Sequence, residues 1–161
     1  MFERFARESR QAVVRAVADA RRLGADQVEP EHLLLALAEG DTDAAARALS
    51  EAGLDADRIE RAIEQDLVAA LAVVGVPAAV VEATPVYPGA PKPSLSVPVK
   101  EALERALRAA VRRGERHMGT EHLLLGLLEP PPVSVRRVLA ALDVEPARLA
   151  ALVQVEVAAG R

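Results

Sequence analysis

Two glutamates carry most of the chemical potential in this chain. Glu31 and Glu121 each open the word EHLLL, at 31–35 and again at 121–125. A carboxylate can receive a guanidinium through two parallel hydrogen bonds, and a helix N-terminus with a nearby hydroxyl can hold a phosphate. The pair therefore reads as two guanidinium receptors, one per word. The plainer reading is a carboxylate in the first helical turn, where the helix dipole favours it by about 0.3–1 kcal/mol. A glycosidase pair would need two carboxylates facing one substrate, roughly 5–10 Å apart and in unlike surroundings. Duplicated, equivalent surroundings argue against that.

The histidines that follow, His32 and His122, read as packed helix residues hydrogen-bonded to a neighbouring turn. His117 and His122 are five apart, so they do not stack on a helix face. HExxH and cysteine are both missing, and no metal site is expected. The serines Ser9, Ser50, Ser94, Ser96 and Ser134 lie in no GxSxG setting. No GxxxxGK[ST] occurs, so neither nucleotide binding nor ATPase activity is expected. Nothing here points to an enzyme or to a cofactor.

The elements that must position these residues come in two copies. At an offset of 90, Gly24 matches Gly114, Ala12, Ala16 and Ala20 match Ala102, Ala106 and Ala110, and Arg47, Leu49 and Arg58 match Arg137, Leu139 and Arg148. A register held over about sixty residues marks a duplicated structural unit. Each copy reads as four helices. The first has apolar positions at 12, 13, 16, 17 and 20, and at their counterparts, on one helical face. Gly24 and Gly114 stop it. EHLLL lies on the second, with Pro30 in its first turn and Thr120 as a candidate N-cap. The third covers about 43–52 and ends at Gly53, for which Asp143 stands in copy two. The fourth starts near Asp55 and near Pro146.

Between the copies, six of the eleven prolines fall within 72–98. That density predicts extended chain rather than regular helix, and the sequence does not decide whether VVEATPV (80–86) lies extended against the body. The expected organisation is copy one at 1–71, a Pro-rich linker at 72–95 and copy two at 96–161. The fold class expected is all-α, about eight helices with pseudo-twofold symmetry.

Bulk properties exclude several partners. Apolar residues make up 51% of the 161, enough for a core, but aromatics are only 2%: Phe2, Phe5 and Tyr87. A base-stacking platform is therefore absent, and a net charge of -4 removes the basic footprint of a nucleic-acid binder. The longest uncharged run, 67–81, is short for a membrane span and interrupted by Gly75 and Pro77. MFERFARESR has no signal-peptide core. A cytoplasmic chain without nucleic-acid or membrane partners is expected.

The opening MFERF, the Ala-rich first helix, the glycine turn and the doubled EHLLL-x-L together resemble the Clp N-terminal repeat domain, in the flavour of the ClpC unfoldases. The resemblance covers both copies. It implies a compact pseudo-twofold helical domain that docks adaptors and recruits substrates, including proteins marked by phosphoarginine. It also implies that Glu31 and Glu121 receive the guanidinium. The family's threonine at the start of the first helix becomes Ala6 in copy one and Ser96 in copy two, so the resemblance favours Glu121 with Ser96 as the better receptor. Phe2 and Phe5, with Leu95 in the place of Phe5, are either a plug on the core or an apolar surface for a partner or cyclic peptide. The function expected is a non-catalytic binding module of the Clp protease system, acting as adaptor, competitor or decoy. The alternative is the docking domain of a complete ATP-driven unfoldase.

Overall fold

The computed structural model describes residues 2–82 and 89–159. A short 3-10 turn, Phe2–Arg4, leads into α1 (Arg7–Arg22). Copy one continues with β1 (Gln27–Val28), α2 (Pro30–Ala38), α3 (Ala44–Glu51) and α4 (Ala56–Val73). After α5 (Ala78–Glu82), copy two runs β2 (Ser94–Leu95), α6 (Val97–Arg112), α7 (Thr120–Leu128), α8 (Val133–Ala141) and α9 (Pro146–Ala159). The fold is all-α, with the helices of copy one repeated in copy two. The described helix beyond the expected eight is α5. It begins just after Pro77, where proline is tolerated, and Ala-Ala-Val-Val-Glu contains no proline to stop it. The linker is therefore partly helical, and residues 80–82 are not extended. Residues 83–86 of that same stretch, and Tyr87, lie outside the described residues.

The helices follow from local sequence. Asp43 and Asp55 cap α3 and α4 by accepting the backbone N–H groups of Ala46 at 3.0 Å and Arg58 at 2.8 Å. Ser96 caps α6. Asp143 takes a left-handed conformation, φ 57°, where copy one has Gly53 at φ 74°; an aspartate tolerates that region better than most residues. Alanines on one face of α1 and of α6 are fully buried under the leucine triplets. The copies are close in environment as well as sequence: along 11–30 and 101–120 the pattern of buried and exposed positions differs only at Asp19 and Ala109.

The copies also interlock. Phe5 pairs with Met118, and β1 pairs in parallel with β2, with Val28 opposite Leu95. These two contacts are one contact repeated, since 5 corresponds to 95 and 28 to 118. Each copy thus lends the segment before its first helix to the segment before the other copy's second helix. The backbone N–H of Ala6 reaches Met118 O at 3.0 Å, and that of Ser96 reaches Val28 O at 3.1 Å. Further along, α3 packs on α9 and α4 on α8. Two equivalent ion pairs join them: Arg47 to Glu156 at 2.7 Å and Arg137 to Asp66 at 3.7 Å. Exposed pairs of this kind contribute about 0–1 kcal/mol each, so the shared apolar core is what unites the copies.

Thr120 is not an N-cap. Gly119 holds that place, and Thr120 is the first residue of α7. Its hydroxyl is turned to the other copy, where it donates to Asp43 Oδ1 at 2.8 Å and accepts from Ala45 N–H at 3.4 Å. It therefore helps to cap α3.

Candidate functional site

The histidine of each EHLLL closes the turn before its own helix. Nδ1 of His32 accepts Glu29 N–H at 3.0 Å, and Nδ1 of His122 accepts Gly119 N–H at 3.1 Å. This is the backward half of a capping box, with an imidazole in the usual place of a glutamate. Burial holds the His32 pKa below its ordinary value, against the pull of Glu31, Glu29 and Asp19. His32 is thus a neutral acceptor, as its capping role requires.

With that frame fixed, the two glutamates part company. Glu121 folds back over its N-cap: a Cβ placed on Gly119 would fall 2.2 Å from Glu121 Oε1. A larger residue there would have to displace the Glu121 carboxylate. A carboxylate oxygen then lies 3.0 Å from His122 Nδ1, the atom that already accepts the Gly119 N–H, so the neutral imidazole donates nothing to it there. Burial pushes the Glu121 carboxyl upward, but His122, its own backbone amide and Arg113 together hold it below the ordinary value. Copy one has Glu29 in the place of Gly119, and its side chain closes that position. Glu31 accordingly keeps one buried oxygen, Oε2, with no hydrogen-bond partner.

The interlocked edges set which first-helix start lies near which glutamate. Ser96 begins α6, whereas Glu121 lies at the start of α7, beside the far end of α6. Arg105 Nε donates to Gly126 O at 3.0 Å, so the two helices run antiparallel. The 16 residues of α6 separate its ends by about 24 Å. Ser96 instead lies across from Val28, three residues before Glu31. Ala6 lies across from Met118, three residues before Glu121. The paired edges therefore place Ser96 beside the segment that leads into Glu31, and Ala6 beside the segment that leads into Glu121. Ser96 Oγ is buried and accepts Val99 N–H at 3.5 Å, while Ala6 gives α1 no side-chain cap.

The apolar candidates divide differently. Phe5 is 1% exposed and packs in the core, so it is the plug and not a partner surface. Its bridge to Met118 draws it inward. Leu95 is partly buried against the same core, and the side chain of Phe2 lies outside the described residues. One grouping was not legible in the sequence. Glu115 joins Glu121 and His122, with one potential ligand atom from each within 4.8 Å of the others. His122 Nε2 lies 3.4 Å from a Glu115 oxygen. The glutamate is seven residues before the histidine, across a turn, at no spacing that marks a metal site. Nδ1 is already committed to Gly119, leaving only Nε2 for a cation.

Comparison with known proteins bears on this geometry. A family model described as the Clp repeat (R) N-terminal domain matches residues 4–86 and 94–161. The chain belongs to the Clp N-terminal domain family. An uncharacterized protein of Mycobacterium tuberculosis is 38% identical over 128 residues, 80% of this chain and 44% of that protein. The chaperone protein ClpC2 of rice chloroplasts is 31% identical over 149 residues, 92% of this chain and 15% of the chaperone. The chain thus spans less than half the length of either relative. Among solved structures, the N-terminal domain of the protease-associated chaperone ClpD from Arabidopsis thaliana superposes with a TM-score of 0.71 at 21% identity, covering 98% of this chain and 99% of that one. A ClpV N-domain in complex with a VipB peptide gives 0.60 at 14% identity, over 95% of this chain and 89% of the other. These two likenesses are of fold. Among the described residues no helix is long and apolar enough to cross a membrane.

Proposed function

We propose that this Clp N-terminal domain is a non-catalytic recognition module that receives peptides or proteins of a Clp system, with arginine-derived groups bound at Glu31. The observation that carries the reading is the unpartnered, buried Glu31 Oε2. It lies at the start of α2, where the edge of copy two brings in the start of α6 and Ser96. A buried carboxylate oxygen left without a donor is costly, and an incoming guanidinium relieves that cost with charge-assisted hydrogen bonds. Two helix N-termini nearby favour the phosphoryl group of a phosphoarginine. Glu121, already folded onto Gly119 and His122, is the weaker receptor. The peptide seated on the ClpV N-domain supports a binding role for the fold.

Calorimetric titration of a phosphoarginine peptide, with the unmodified arginine peptide as control, tests this. Glu31→Gln should weaken binding about tenfold to a hundredfold, the equivalent of one charge-assisted hydrogen bond of about 1.5–3 kcal/mol. Absence of binding at millimolar peptide, or equal affinity for the unmodified peptide, contradicts the phosphoarginine reading.

A second reading is that the module serves as the docking part of a larger ATP-driven chaperone. The rice relative favours it, since this chain spans only 15% of that protein. The extent of the reading frame in the source genome decides between a separate adaptor, competitor or decoy and a docking domain.

A further inference from the structure

On copy two, α6, α7 and α9 enclose a cleft of about 450 Å³ whose walls carry Arg105, Arg108, Arg112 and Arg113. Glu129 is the one carboxylate among its lining residues. Arg105 and Arg113 are partly engaged, with Gly126 O at 3.0 Å and Gln154 Oε1 at 3.1 Å. Among the described residues, Arg108 and Arg112 have neither an ion pair nor a side-chain hydrogen bond.

Copy one shows what these arginines lack. Arg22, the counterpart of Arg112, binds Asp19 at 3.2 Å and Glu60 at 3.1 Å. The counterparts of those two carboxylates are Ala109 and Ala150. Copy two also carries Arg108 in the place of Ala18 and Arg113 in the place of Leu23, and Gln154 replaces Glu64. Positive charge has been added at the very place where the internal anions are gone. The backbone is the same: Arg15 donates to Ala36 O at 3.1 Å as Arg105 does to Gly126 O.

We infer that this cleft binds an acidic peptide segment, whose carboxylates take the places that Asp19 and Glu60 fill in copy one. Arg105, Arg108 and Arg112 recur at three- and four-residue spacing, so they project along one face of α6 and suit successive carboxylates rather than a single point charge. A second cleft of about 490 Å³ shares Glu129 and Gln154 with the first; prolines and alanines line most of it, with Leu128, and Glu145 adds a carboxylate at the end that would take the apolar part of the segment. The two together suit an extended segment with acidic residues followed by small apolar ones. Among the described residues no aromatic side chain lines either cleft, so these walls offer a stacked nucleobase no platform. This site is independent of the reading at Glu31, which lies in the other copy.

Fluorescence anisotropy with a labelled Asp/Glu-rich peptide ending in Ala-Val-Leu tests the inference on the whole chain. Wild type should bind it, lose affinity as salt rises, and ignore the Asn/Gln version. Arg108→Ala with Arg112→Ala should weaken binding by tenfold or more. Because both are exposed side chains, the fold should persist, which circular dichroism checks. A second variant, Ala109→Asp with Ala150→Glu, restores the carboxylates of copy one and should abolish binding by occupying Arg112 from within. Phosphoarginine titration should be unchanged in both variants. Equal binding of the Asn/Gln peptide, or unaltered affinity in the double-arginine variant, overturns the site. So does a single-stranded oligonucleotide or inorganic phosphate that binds as tightly as the peptide.

Discussion

On α1, Arg22 lies between two carboxylates of its own copy; on α6, Arg112 occupies the same helical place with alanines where those carboxylates would be. At the starts of α2 and α7 the imbalance runs the other way. Glu121 folds back over Gly119 toward its own backbone amide, while Glu31, with Glu29 in the place of that glycine, keeps an unpartnered oxygen. Duplication has preserved the backbone, the core and the contacts between copies. What has diverged is the polar rim, and it has diverged so that each copy leaves a different charge open. A rim charge is cheap to change, since exposed pairs contribute little to stability. A buried leucine is not.

Comparable core substitutions in the two copies test the equivalence where the effect is largest. Leu34→Ala and Leu124→Ala both remove fully buried side chains, and each should cost about 2–5 kcal/mol in chemical denaturation. Closely similar losses are expected; a loss confined to one copy would break the comparison. A sharper test lies where the copies differ in packing. A Cβ on Gly126 would meet Ala102 O at 2.4 Å, so α6 and α7 touch backbone to backbone. Gly126→Ala should destabilise by about 1–3 kcal/mol through overpacking, although copy one already carries Ala36 in that place. The urea midpoint of this variant against wild type provides the measurement, and an unchanged midpoint would contradict the close approach.

The link between the copies predicts a smaller effect. Thr120→Val removes the hydroxyl that bridges Asp43 and Ala45 and should cost about 1–3 kcal/mol, because polar groups near the contact lose a partner. In a double-mutant cycle with Asp43→Ala the two should couple; strict additivity would mean the hydroxyl serves only its own copy.

The pattern of helices was readable because it is local. Apolar spacing, Gly24, Gly53 and the aspartate standing in for glycine at 143 each act within a turn of their own position. The exchange of edges was not readable. An offset of 90 states which residues are equivalent, and it is the same whether a segment packs on its own copy or on the other. That ambiguity hid that the start of α6 lies across from Val28, and that the Thr120 hydroxyl reaches the other copy. It also left Phe5 between plug and surface, since its partner Met118 is in the other copy. Glu115 escaped notice because a turn, not a helical spacing, brings it to His122.

One effect of copy one depends on pH. Burial, with the nearby Asp19 charge, pushes the Glu39 carboxyl up from its ordinary 4.5 to about 7. The unfolded chain therefore releases this proton at lower pH than the folded one. By linkage, stability from this group is fully present below about pH 4.5 and is lost as pH rises through about 7. Glu39→Gln should flatten that decline; an unfolding midpoint with the same pH slope in wild type and variant would contradict it.

Which residues act together at the arginine receptor is measured directly by a double-mutant cycle on phosphoarginine peptide binding. Ser96→Ala and Glu31→Gln, made singly and together, should be non-additive by about 0.5–3 kcal/mol, while Ser96→Ala and Glu121→Gln should add within about 0.5 kcal/mol. Coupling of Ser96 to Glu121, with none to Glu31, would contradict the exchanged edges as the basis of the site.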